Sequence, residues 1–149
     1  MGARLKEVGP DMCLQAALEE LLKRTGRASA TVSLGPNATI GDANEQLWRH
    51  RLRLARRKSG SDGRAYGFLK VDRGVCLARV TLFGKDGEQC RHAIVKDGSS
   101  IVDDAHTVSF TLDGLCPGDN AGAAKILKQL DKNALKAIIR DCYVMEEVE

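Results

Sequence analysis

Val75-Cys76-Leu77-Ala78-Arg79-Val80-Thr81-Leu82-Phe83, Cys90-Arg91-His92-Ala93-Ile94-Val95-Lys96 and Ser100-Ile101-Val102-Asp103-Asp104 are the runs that decide the fold. Each is short and rich in β-branched residues, and Asp86-Gly87 and Asp97-Gly98 fall between them. Asp-Gly between such runs marks a hairpin, because a tight turn twisted like its strands needs a residue at positive φ. A further strand is expected over His106–Leu112, where Val108, Phe110 and Leu112 alternate. The second half therefore reads as an antiparallel meander.

Toward the N-terminus the period changes. Leu14, Ala17, Leu18, Leu21 and Leu22 form an apolar stripe at helical spacing, with Glu19, Glu20, Lys23 and Arg24 opposite. Asp11 after Gly9-Pro10 is a suitable N-cap, and Gly26 a stop. Residues 27–44, rich in Ser, Thr, Gly, Pro and Asn, read as an irregular connection. A second helix, capped by Asp42 or Asn44, is expected from Glu45 to about Lys58, followed by an exposed loop over Ser59–Arg64. A helical region from about Asn120 to Arg140, with a break near Asp131, closes the chain. Helices, then a meander, then a helix make one α+β domain over 1–149, with a helical part to about 60, a sheet part over about 75–113 and a C-terminal helical part over about 119–142.

Composition narrows the function. The chain has 149 residues, enough to bury a core without staples, and no apolar run long enough to cross a membrane. Five scattered cysteines (Cys13, Cys76, Cys90, Cys116, Cys142) without an apolar leader point to reduced thiols and the cytoplasm. A net charge of +3 is mild, yet Arg49, Arg51, Arg53, Arg56, Arg57 and Lys58 crowd one segment beside Trp48. That segment is a candidate contact for nucleic acid or an acidic partner. A metal site from Cys76, Cys90, His92 and Cys116 lacks a Cys-x-x-Cys pair, although Cys90 and His92 share one face of a strand. No glycine spacing suits a nucleotide, so no cofactor is expected.

The residues that carry chemistry are Cys13, His92 and Asp103. Cys13 stands in the first turn of its helix, where unpaired N–H groups and the macrodipole favour a thiolate. The same groups favour a developing oxyanion. If Asp97-Gly98 is a two-residue turn, Ile94 faces Ile101 and His92 faces Asp103, which would orient the imidazole. A three-residue loop would bring Asp104 there instead.

Gly9-Pro10-Asp11-Met12-Cys13-Leu14-Gln15-Ala16-Ala17-Leu18 resembles the nucleophile helix of papain-like cysteine peptidases. His92-Ala93-Ile94-Val95, a glycine turn and Ile101-Val102-Asp103 resemble that superfamily's histidine strand and its acidic partner, in the same chain order. The short histidine-to-aspartate spacing is closest to compact branches such as viral or bacterial processing peptidases. The resemblance implies a nucleophile helix packed on an antiparallel sheet. It also implies acyl transfer through a thioester on a peptide or isopeptide bond, with Cys13, His92 and Asp103 as triad and a protein or peptide substrate. Glu7 stands where such enzymes often carry an oxyanion-hole Gln, so Gln15, Gln46 or Asn44 would have to donate there. An inactive papain-like module, or a basic binding module, is the competing expectation.

Overall fold

The hairpin residues do pair, and they form the middle of a larger sheet. The structure, a computed structural model, describes residues 13–35, 37–57, 65–70, 74–103 and 107–149, with the Cys13 side chain outside that set. Asp11, Glu7, Lys58, the expected loop over Ser59–Arg64, Asp104 and His106 also lie outside it.

Among the described residues six strands form one antiparallel sheet in the order β1-β6-β2-β3-β4-β5: β1 (Leu52–Arg56), β2 (Val75–Phe83), β3 (Gln89–Asp97), β4 (Ser100–Val102), β5 (Thr107–Ser109) and β6 (Lys136–Glu147). Among the described residues four helices accompany them: α1 (Cys13–Arg24), α2 (Ile40–Leu47), the short α3 (Ala65–Leu69) and α4 (Asn120–Leu127). Among the described residues no helix is long and apolar enough to cross a membrane.

Side-chain alternation sorts the core into two layers. Leu77, Ala93, Val95, Leu52, Leu54 and Tyr143 pack against the leucine stripe of α1 and against Ala43 and Leu47 of α2. On the other face Cys76, Ala78, Val80, Leu82, Ile94, Ile101, Ile139 and Cys142 pack against α3 and α4. Both layers are dry, as Leu18, Leu21, Leu77, Leu82 and Ile94 are each 0% exposed. Burying such a side chain stabilises the fold by roughly 1.5–3 kcal/mol before chain entropy is counted.

Two expectations are overturned here. The Glu45–Lys58 helix is not formed. α2 begins five residues earlier, under a capping box between Thr39 and Asp42, and ends at Leu47. A 3₁₀ turn over Trp48–His50 then passes into Arg51 at φ 59° and on into β1. The left-handed residue ends the helix, and Leu52 and Leu54 alternate with Arg53 as strand residues do. The C-terminal region is helical only to Leu127, with a 3₁₀ turn to Leu130 and extended backbone at Asp131, the expected break. Lys136–Glu147 is then a twelve-residue strand, inserted between β1 and β2. Ile139 and Val144 pack on the α3/α4 side and Tyr143 on the α1/α2 side, which suits β-branched and aromatic residues of an inner strand.

The register of the β3–β4 hairpin is also corrected. Asp97 pairs with Ser100, Lys96 with Ile101 and Val95 with Val102. The two turn residues are thus Gly98 and Ser99, and Gly98 takes the positive φ of 59°. Placing Asp97 in the turn shifted the expected pairing by two, so Ile94 does not face Ile101 and His92 does not face Asp103.

Candidate functional site

Helix α1 is fixed along β3 at two points. Arg24 near its C-terminus bonds Asp97 at 2.8 Å, and Ala17 shares a cleft with Ala93. The first turn of α1 therefore lies toward the Arg91 end of β3. The cleft, about 330 Å³, runs beside the helix, between Ala16, Ala17 and Glu20 on one side and Ala93, Val102 and Asp103 on the other. Two of the three expected residues come to the same side of the sheet, the helix start carrying Cys13 and the Asp103 carboxyl.

His92 does not join them. It pairs with Val80 and alternates with Ile94, so its ring lies on the α3/α4 face of β3, opposite the face that carries α1. There it is 8% exposed, and its Nε2 is 3.3 Å from the Cys90 Sγ. The thiol–imidazole contact seen in the structure is therefore Cys90–His92.

The helix-side donors suggested for an oxyanion are otherwise engaged. Gln15 donates to the Val32 carbonyl and accepts from Leu34 N–H, which ties the 27–39 connection down over α1. Gln46 binds the Ser33 backbone at both its ends, and Asn44 does the same for Leu54. Their work is to satisfy backbone groups of an irregular segment.

The helices α1 and α2 cover one part of their face of the sheet, with α1 reaching Ala93 on β3. Past the row Arg56–Tyr143–Leu77–Val95, the strands β6, β2 and β3 continue, and apart from Ala93 none of their described residues on this face belongs to the core packed under α1 and α2. Three further rows follow: Asp141–Arg79–Ala93, then Ile138–Thr81–Arg91, then Lys136–Phe83–Gln89. A β-bulge opposite Arg79 and Val80 turns Arg140 onto the same face, and its Nε donates to the Thr81 hydroxyl at 2.9 Å.

This end is basic. Arg79 is held by a two-pronged bond to the buried Asp141, and its guanidinium lies 5.9 Å from the Tyr143 ring centre. The Asp141 bonds hold the Arg79 pKa above its ordinary value, and burial pushes the Tyr143 phenol up, with Asp141 adding to it. Arg91, Arg140 and Lys136 are exposed, and among the described residues none has a carboxylate partner. Lys136 Nζ sits 5.6 Å from the centre of the Phe83 ring.

The Arg49–Lys58 segment, expected to be the cationic surface, is dispersed instead. Arg53 faces the α3/α4 side and is paired with Glu146, while Arg56 stands in the Tyr143 row on the other side. The better surface is made from residues of β2, β3 and β6, and only the strand pairing brings them together.

The two buried thiols are in contact with each other, which lowers the Cys76 pKa from its ordinary value. Cys76 and Cys142 are 2% and 0% exposed on the α3/α4 face. Contact with Cys76, and then burial, keeps the Cys142 thiol protonated far above its ordinary range. Among the described residues no three His, Cys, Asp or Glu side chains gather as metal ligands.

Comparison with protein-family models, with curated proteins and with solved structures gives no match.

Proposed function

We propose that this chain is a binding module for single-stranded nucleic acid, and that the basic end of this sheet face is its contact surface. The observation that carries this reading is the set of exposed cations Arg91, Arg140 and Lys136 around Phe83 on three adjacent strands. Strands two apart are separated by about 10 Å, so Arg140 and Arg91 bracket a strip wide enough for one extended chain. Cations at the borders suit phosphates, and a half-buried aromatic between them suits a base face. Arg79, already neutralised by Asp141, positions the surface without adding to its charge. An unstructured acidic peptide would use the same cations but would gain nothing from Phe83.

Fluorescence anisotropy with a labelled oligonucleotide tests the reading. Binding is expected to weaken with salt, with a slope of log K on log[salt] near −2 for three single-strand phosphate contacts. Arg91→Ala with Arg140→Ala should flatten the slope and cost at least tenfold in affinity. Poly-glutamate competing as well as the oligonucleotide would overturn the nucleic-acid assignment.

A second reading is thiol-dependent acyl transfer of the papain-like kind on a peptide or isopeptide bond. It is favoured by Cys13 as the first residue of α1 and by Asp103 in the cleft beside that helix. It needs an imidazole at the helix start, and His92 stands on the far face of β3. Fast alkylation of Cys13 by iodoacetamide, abolished by His92→Ala, would restore it in full.

A further inference from the structure

The Cys90–His92 contact is not used by the nucleic-acid reading, and it stands on the opposite face of β3 from that surface. We propose that Cys90 is a modification site: a reactive thiol, with His92 as its general base, that exchanges with small disulfides and becomes S-thiolated. Four observations carry this. Alternation along β3 puts residues 90 and 92 on one face, and Cys90 Sγ lies 3.3 Å from His92 Nε2, within reach for proton transfer. Cys90 is half-buried, whereas Cys76 and Cys142 are fully enclosed. The floor around it is apolar: its cross-strand partner Leu82 is 0% exposed and Val80, opposite His92, is 1% exposed. That environment strengthens the thiol–imidazole interaction.

The pairing also makes the product persist. Leu82 is the cross-strand partner of Cys90, and Cys76 lies six residues along β2 from Leu82, about 20 Å away. Ala78, the partner of Cys142, lies four residues along, about 13 Å away. Neither thiol can reach Cys90 to resolve a mixed disulfide.

The step balances as a thiol–disulfide exchange. In the tautomer with Nε2 unprotonated, the imidazole takes the Cys90 proton as Sγ attacks one sulfur of RS–SR. The Cys90 Sγ–S bond forms and the RS–SR bond breaks. The departing RS⁻ collects the proton from the imidazolium, giving protein–S–SR and RSH.

The test uses the intact chain with oxidised glutathione as the probe and peptide mass spectrometry as the readout. Cys90 is expected to gain one glutathionyl group about tenfold faster than the exposed Cys116 of the same molecule. In His92→Gln the Cys90 rate should fall to that of Cys116, with the Cys116 rate unchanged. Cys76 and Cys142 serve as the unfolding control, because they label only if the variant opens. If that variant does open, the wild-type ratio of Cys90 to Cys116 decides alone. Equal or slower labelling of Cys90 in the wild type overturns the proposal, as does a Cys90–Cys116 disulfide in place of the mixed one. Fast labelling confined to Cys13 would also overturn it and favour the papain-like reading.

Discussion

Asp141 shows how one side chain governs both stability and charge. It is 7% exposed, and its two bonds to Arg79 span adjacent strands. Asp141→Asn keeps the shape but weakens both bonds, and the expected cost in urea denaturation is about 2 kcal/mol. The same change frees the Arg79 charge, so oligonucleotide affinity should rise and the salt slope should steepen by about 0.7. A variant less stable yet tighter-binding is the signature sought. Tyr143 beside it carries a pH consequence. Its folded pKa lies above its ordinary value, so its contribution is complete below about pH 10 and is lost as pH climbs through the raised folded value. Tyr143→Phe should therefore reduce the alkaline loss of stability in melts recorded between about pH 9 and 11.

At the scale of elements, turn geometry and capping decide what composition leaves ambiguous. Arg51 at φ 59° stops α2 from running on into the arginine-rich segment. Arg51→Gly should raise stability by roughly 0.5 kcal/mol, the left-handed penalty removed less the extra chain entropy of glycine. Thr39→Ala should lower it by about 1 kcal/mol, because the Asp42 N–H loses its side-chain acceptor. Both effects are read from denaturant midpoints.

These same features mark how far the sequence could be read. The stripe of α1 was legible because its helical period is unbroken from Leu14 to Leu22, and β2 and β3 were legible as β-branched runs bounded by Asp-Gly. The β3–β4 register was missed because both Asp97-Gly98 and Gly98-Ser99 satisfy two-residue turn chemistry, and only packing chooses between them. β6 was missed for a different reason. Ile138 and Ile139 are adjacent, and Arg140 and Asp141 share a face across the bulge, so neither a period of two nor one of 3.6 survives. The two-residue shift of register kept every side chain on its face, and the candidate triad fails for another reason: His92 alternates with Ile94 onto the α3/α4 side of β3, away from α1. The surface formed by Arg91, Arg140, Lys136 and Phe83 left no local signal, because its members are neighbours only through strand pairing.

For the whole molecule, the central sheet couples the two core layers. β2 and β6 contribute side chains to both, as Leu77 and Val80 do on one strand and Tyr143 and Ile139 on the other. Ile139 is 1% exposed, and Ile139→Ala should cost about 3 kcal/mol. The loss should appear equally in Trp48 fluorescence near α2 and in far-ultraviolet circular dichroism, as one transition. Two separated transitions would mean that the layers unfold independently.

The position of β6 also bears on how the chain is made. β1 is complete at residue 56, yet its sheet partner spans residues 136–147. During synthesis β1 must wait for about eighty more residues, several seconds at ordinary translation rates, with its backbone groups unpaired. The β2–β5 meander, by contrast, has all its internal partners within 35 consecutive residues and can assemble as it emerges. Arg53 and Arg56 place two positive charges on the waiting strand, and like charges on nascent neighbours discourage the edge-to-edge pairing of one polysome product with the next.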